Sequence, residues 1–253
     1  RNLRTVEGCS WDQIGGVHFF IGSAGSGKTT IVTKLAGRLA ERGEKTKVIS
    51  LFPRNLRDLG GYEIFDRTEE VEVVVARNLR ELEQLLSSWR GERVFIDTPC
   101  VLSSRRMTSR RFRNFIRDQE TAHVNYIFDV SAGPARIERE LEVFDRMYGD
   151  FAVLGKFDLV SRKGAFLNLI SEKQLAFSMV NSSPDHESGL EIITPDMLMS
   201  FIKPDYSRGV SPSESSFLLN YGTGPDDTVK QKETAGHSKA ATTSGIEEKE
   251  MIR

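Results

Sequence analysis

The residues best suited to chemistry in this chain lie between Gly22 and Thr30, in the order Gly22, Ser23, Ala24, Gly25, Ser26, Gly27, Lys28, Thr29, Thr30. Their spacing fits G-x-x-x-x-G-K-[ST], a loop whose glycines let backbone N–H groups turn inward around phosphate oxygens. A helix opening near Lys28 adds its positive N-terminal end to that nest. In this arrangement Lys28 reaches the terminal phosphates and the Thr29 hydroxyl ligates Mg2+. The chemistry is the binding of a nucleoside triphosphate.

Two further segments supply the groups such a loop needs. Val94-Phe95-Ile96-Asp97 is an apolar run ending in a carboxylate, placed to support the metal's water shell near the γ-phosphate. Gly155-Lys156-Phe157-Asp158 follows a second apolar run, Phe151–Leu154. Its Asp158 can accept from the N1–H and exocyclic amine of guanine, a donor pair that adenine lacks. Lys156 can lay its aliphatic stem over the base. The expected ligands are therefore GTP and Mg2+.

The elements that hold these groups alternate along the chain. Strands are predicted at Val17–Ile21, Lys47–Leu51, Glu72–Ala76, Arg93–Asp97, Val124–Val130, Phe151–Lys156 and Gln174–Val180. Helices are predicted at Lys28–Arg42, with an Ile31, Leu35, Leu39 stripe and Gly43 as its stop, and at Asn78–Trp89. Others fall at Ala135–Tyr148, Ala165–Ser171 and Pro195–Ile202, with a short helix or loop at Pro53–Gly61. Short strands separated by helices imply right-handed crossovers and a mainly parallel sheet covered on both faces. This is an α/β, three-layer P-loop NTPase architecture, in which ligands bind beyond the carboxyl ends of the strands. The domain is expected at 15–204, after a short extension at 1–14. The Ser-, Gly-, Thr-, Lys- and Glu-rich residues 205–253 are expected to form a polar, disordered tail, with a weak helix signal at Ile246–Ile252.

Composition adds limits. A net charge of −1 gives no global attraction to nucleic acid or membranes, so any such partner must use a local patch. Cys9 and Cys100 have no metal-ligand spacing, which fits a reducing compartment. His18, His123, His186 and His237 are scattered and suggest no metal site, while Trp11 and Trp89 read as packing.

The loop with Thr30 and Lys34-Leu35-Ala36, the run Glu72–Asp97, the Lys156-x-Asp158 pair and the closing Ile193–Leu198 together resemble the signal-recognition-particle (SRP) type GTPases. Within that family the flagellar-biosynthesis branch is the nearest match, over about residues 15–203. The resemblance implies a GTP-dependent dimer with itself or a related GTPase, acting in flagellar placement or assembly. It also implies a cytoplasmic location, peripheral at the inner face of the cell membrane.

The departures concern turnover. Where the family carries Asp-Thr-Tyr-Arg, this chain reads Leu51-Phe52-Pro53-Arg54, so the carboxylate is gone and Arg54 alone can be carried over. The family's Asp-Thr-Ala-Gly-Arg is here Asp97-Thr98-Pro99-Cys100-Val101, in which Pro99 narrows the accessible backbone. The family's Gly-Gln is missing from Asn181–Gly189. Binding with slow or lost hydrolysis is therefore expected, with Asp97, Arg54 and Arg105 as the candidate catalytic groups.

Arg105, Arg106, Arg110, Arg111, Arg113 and Arg117 crowd one stretch. They form a solvated helix face, or Arg105 or Arg106 replaces the lost switch arginine, or the cluster docks an acidic protein or an anionic membrane surface. Nucleic acid is disfavoured because the only interleaved aromatics, Phe112 and Phe115, read as core anchors. Two alternatives remain beside the GTPase: a non-hydrolysing interaction module on the same core, and a P-loop kinase using the arginines as a lid.

Overall fold

Apolar runs with no polar alternation can be buried only in a sheet covered on both sides, and that is what they form. In the computed structural model, which describes residues 4–5, 15–53, 56–66, 68–119, 121–160 and 175–202, the strands are β1 (Arg4–Thr5), β2 (Val17–Gly22), β3 (Thr46–Leu51), β4 (Val71–Ala76), β5 (Val94–Asp97), β6 (Ala122–Asp129), β7 (Phe151–Gly155), β8 (Ala176–Asn181) and β9 (Leu190–Ile192). They order as β1-β8-β7-β6-β2-β5-β3-β4. All these pairings are parallel; β9 alone runs antiparallel, on β8. The helices are α1 (Lys28–Ala40), α2 (Leu79–Ser88), α3 (Arg110–Arg117), α4 (Pro134–Arg146) and α5 (Pro195–Ile202), with a 3-10 segment at Leu56–Phe65.

Alternate residues of one strand feed opposite cores. Phe20, Phe95, Ile127 and Val153 pack on one face against Ile31, Leu35 and Leu39 of α1. Phe19, Ile21, Ile96, Tyr126 and Leu154 pack on the other against Leu82 of α2, Phe112 of α3 and Leu141 of α4. The predicted α/β three-layer architecture is therefore present. No helix among the described residues is long and apolar enough to cross a membrane.

Boundaries shift where caps decide them. α1 stops at Ala40 rather than Arg42, because the Gly43 N–H donates to Ala40 O at 2.8 Å and the Glu44 N–H to Leu39 O at 2.9 Å. Gly43 takes φ +72°, which closes that turn. α2 begins at Leu79, with the Asn78 side chain accepting from the Glu81 N–H at 3.0 Å. The arginine-rich stretch yields α3, capped by Ser109 accepting from the Phe112 N–H at 3.2 Å. The three-residue β9 is too short for periodicity to reveal. Ala165–Ser171, Ile246–Ile252, the 1–14 extension apart from Arg4–Thr5, and the 205–253 tail lie outside the described residues.

The sheet register sets the site. β2 lies between β5 and β6, with Phe20 opposite Asp97 and Gly22 opposite Ile127. β7 ends at Gly155, opposite Asp129 of β6. A Cβ on Gly155 would sit 2.3 Å from the Ser26 carbonyl oxygen, so only glycine lets this strand end approach the phosphate loop. Gly155→Ala is expected to lower unfolding free energy by about 1–3 kcal/mol through overpacking, read from urea denaturation midpoints.

Candidate functional site

The loop from Gly22 to Gly27 joins β2 to α1, and three of its glycines answer steric demands. Gly25 and Gly27 take φ +70° and +94°, in the left-handed region. A Cβ on Gly22 would stand 2.6 Å from Ile127 O and 2.8 Å from Ser26 Oγ. The Val101 N–H donates to Gly22 O at 3.1 Å, which ties the segment after Asp97 to the loop.

A cleft of about 310 Å3 opens here, lined by Ala24, Gly25, Lys28 and Thr29 on one side and by Ser50–Pro53, Asp97–Cys100 and Ser103 on the other. Lys28 is 8% exposed, and its Nζ donates to Ser23 O at 2.7 Å. Burial lowers its pKa, while the Asp97, Cys100 and Glu140 charges oppose that shift. Thr29 Oγ1 donates to Asp97 Oδ2 at 2.6 Å. Tyr62 OH donates to the same oxygen at 2.7 Å. Burial first, then the Asp97 charge, raises the Tyr62 pKa well above its ordinary value, so the phenol stays a donor. Oxygen donors from Thr29 and Asp97, beside a lysine and a concave backbone, suit a hard cation such as Mg2+ together with a phosphate chain.

Tyr62 had no motif to announce it. It is positioned because Gly61 packs against α1, where a Cβ would meet Thr29 Cγ2 at 2.8 Å, and because Thr33 Oγ1 donates to Gly61 O at 3.3 Å.

α4 supports the loop from outside. Arg136 donates to Ser23 Oγ at 2.8 Å and to Ala24 O at 3.2 Å, and its Nε donates to Glu140 Oε1 at 3.4 Å. Glu140 is fully buried, and its Oε2 has no hydrogen-bond partner among the described residues. Burial raises its pKa; Ser23 and Arg136 offset part of that shift. Sequence periodicity read both residues only as parts of a helix.

The Lys156 side chain is tethered at its tip. Its amine donates to Asp129 Oδ2 at 2.9 Å, while Ser131 Oγ donates to Asp129 Oδ1 at 2.5 Å. Burial would raise the Asp129 pKa, but these hydrogen bonds and the nearby cations outweigh it and lower the value. Asp129 ends an apolar strand just as Asp97 does, a signal that could have flagged it. Lys156 takes φ +60°, and a Cβ on Gly25 would come within 3.9 Å of its Nζ, so the lysine borders the phosphate loop. Asp158 is exposed at the same strand end.

Lys34, noted in sequence only for its place after the loop, is 2% exposed. Its Nζ donates to Asn181 Oδ1 at 2.6 Å, Ser183 O at 2.7 Å and Ser188 O at 2.6 Å. α1 thereby fixes the loop between β8 and β9. Arg105 is not gathered into the cleft; it lines a separate cavity beyond Phe52. Thr30 is partly buried on α1, one residue past Thr29, and Arg54 lies outside the described residues. Asp97 is the one carboxylate among the described residues lining the cleft. Cys100 carries a free thiol there; burial would raise its pKa, but hydrogen bonds from Ser103 and the backbone, with the Lys28 charge, lower it.

No family model matches the chain, and no curated protein sequence does. Solved structures do. FlhF complexed with GMPPNP and Mg2+ superposes with a TM-score of 0.63 at 15% identity, over 75% of each chain. FtsY from Mycoplasma mycoides gives 0.62 at 15% identity, over 80% of this chain and 71% of that one. Chloroplast FtsY from Physcomitrella patens gives 0.60 at 19% identity, over 76% and 68%. At these identities the likeness is one of fold: the chain has the fold of SRP-type GTPases.

Two outcomes follow from the loop's supports. Replacing Lys34 by Met strands the buried Asn181 acceptor, and a loss of about 2–4 kcal/mol is expected in chemical denaturation. The raised Glu140 pKa makes its stability contribution greatest below the unfolded value of 4.5 and lost as pH rises through the folded value. Glu140→Gln should abolish that decline, so that its Tm meets or exceeds that of the parent chain at neutral pH. A variant Tm falling in parallel with the parent across the acid range would contradict the assignment.

Proposed function

We propose that this protein binds GTP with Mg2+ in the cleft over the Gly22–Thr30 loop and acts as a nucleotide-dependent association module with slow or lost hydrolysis. The observation that carries the reading is the Thr29–Asp97 hydrogen bond at 2.6 Å, which joins the loop's metal-binding hydroxyl to the strand-terminal carboxylate beside Lys28. Lys28 and the inward backbone N–H groups would hold the phosphates; Thr29 would ligate Mg2+ and Asp97 would support its water shell. Bound Mg2+ would neutralise charge on the phosphate chain. Guanine would be read at the Gly155–Asp158 strand end, with Asp158 accepting from the base and Lys156 flanking it from its tether on Asp129.

Hydrolysis needs a positioned water and compensation for γ-phosphate charge. Around the cleft Leu51, Phe52 and Pro53 are apolar where a second carboxylate would serve, and Arg105 lies beyond Phe52. These features favour binding over turnover. The solved structures of FlhF with GTP and Mg2+ and with GMPPNP and Mg2+ support the same ligands here. In this reading the protein associates with a copy of itself or a related GTPase when GTP is bound. Its setting is flagellar placement or assembly, in the cytoplasm and at the inner face of the cell membrane. The non-hydrolysing module is the limiting form of this reading, favoured by Asp97 being the one carboxylate lining the cleft among the described residues.

Calorimetric titration with GTP, GDP and ATP analogues in Mg2+ tests the assignment. GTP analogues should bind at least tenfold more tightly than ATP analogues, and Lys28→Ala should remove most of that affinity. Equal affinity for the two bases would overturn the guanine reading.

A further inference from the structure

Beyond Phe52 lies a second cavity of about 600 Å3, within the size range of small-ligand sites. Five arginines line it: Arg77, Arg80, Arg105, Arg106 and Arg111. Its other walls are Phe52 and Leu79, with Asn78 and Ser109, the N-caps of α2 and α3. Two helix N-termini thus open on one basic cavity. Among the described residues no ion pair engages any of the five guanidinium groups. The acid of the first turn of α2, Glu81, accepts instead from the Arg77 N–H and the Asn78 side chain, each at 2.7 Å.

This concentration of charge runs against local stability. Arg110 and Arg111 open α3 without an acidic residue in its first turn, where cations oppose the helix dipole. Like charges brought to one cavity from the β4–α2 connection, α2, the turn before α3 and α3 itself repel one another. Such a conflict, with Glu81 engaged by the Arg77 N–H and the Asn78 amide and no ion pair to these guanidinium groups among the described residues, marks a site whose partner is an anion.

We propose that this cavity binds a small ligand carrying two or more adjacent phosphates. Adjacent phosphates place several charges within a few ångströms, matching several guanidinium forks on one cavity better than the carboxylates of an acidic peptide, which sit one per residue. Phe52 and Leu79 offer an apolar wall for a base or other hydrophobic body. Arg106 already stacks over the Phe52 ring at 5.6 Å, showing how a planar cation and that ring share the space. Phe52 lines both this cavity and the nucleotide cleft, so the two are neighbours across one side chain.

The test titrates inorganic tripolyphosphate, and separately ATP, into the full chain saturated with a non-hydrolysable GTP analogue and Mg2+. One additional ligand per chain is expected, weakened at least tenfold in Arg80→Ala/Arg106→Ala and in Arg105→Ala/Arg111→Ala, with Tm unchanged in both. Tighter binding of ATP than of tripolyphosphate identifies a nucleoside polyphosphate; equal binding identifies the phosphate chain itself. Repeating the titration on Lys28→Ala separates this proposal from the nucleotide reading, because the arginine-dependent site should persist there. Absence of the added site, full affinity in both arginine variants, or displacement of tripolyphosphate by an equal concentration of a hexaglutamate peptide would overturn it.

Discussion

The parallel register of β2 between β5 and β6 is the constraint on which the site depends. It sets Phe20 beside Asp97 and Gly22 beside Ile127, so three strand ends meet at one edge of the sheet. The loop leaving β2 can then reach Asp97 through Thr29, while the end of β6 presents Asp129 to Lys156. A shift of one residue in either pairing would turn the Phe19/Phe20 alternation inside out and move the carboxylate away from the loop. Burial of both sheet faces makes that slip costly, so the chemistry inherits its precision from the core.

Around that edge the phosphate loop is held from three directions. Gly155 admits the end of β7 to the carbonyl of Ser26; Arg136 and Glu140 approach Ser23 and Ala24 from α4; Gly61 packs on Thr29 and delivers Tyr62. Each contact spends polar or steric complementarity on a short stretch of backbone. The result is a preorganised cradle, which lowers the ordering cost of binding a phosphate chain. The facing wall of the cleft is built differently. There Phe52, Pro53 and Pro99 provide shape, and among the described residues lining it Asp97 provides the one carboxylate.

How much of this could be read from the chain follows from the range of each interaction. The loop, α1 and the Val94–Asp97 strand are local patterns, and they were legible. Lys34 was visible only as a residue after the loop, because its acceptors lie 147 to 154 residues further along. Tyr62 sits in a 3-10 segment whose pattern carries no periodic signal, so only packing against Thr29 reveals its reach to Asp97. The arginine stretch was recognised as basic, but Arg77 and Arg80 come from a different helix start and join it only in the folded chain. The resemblance to SRP-type GTPases anticipated the fold because it rests on the order of elements. It could not anticipate that Lys156 would be tethered to Asp129.

We propose that a complete phosphate cradle is joined here to a wall poor in hydrolytic groups, so that GTP is held rather than consumed. Single-turnover analysis of GTP bound to an excess of the full chain with Mg2+ tests it most directly. Nucleotide recovered after hours is expected to be still largely GTP. Conversion to GDP within seconds would show that the cleft carries out efficient hydrolysis and would overturn this reading.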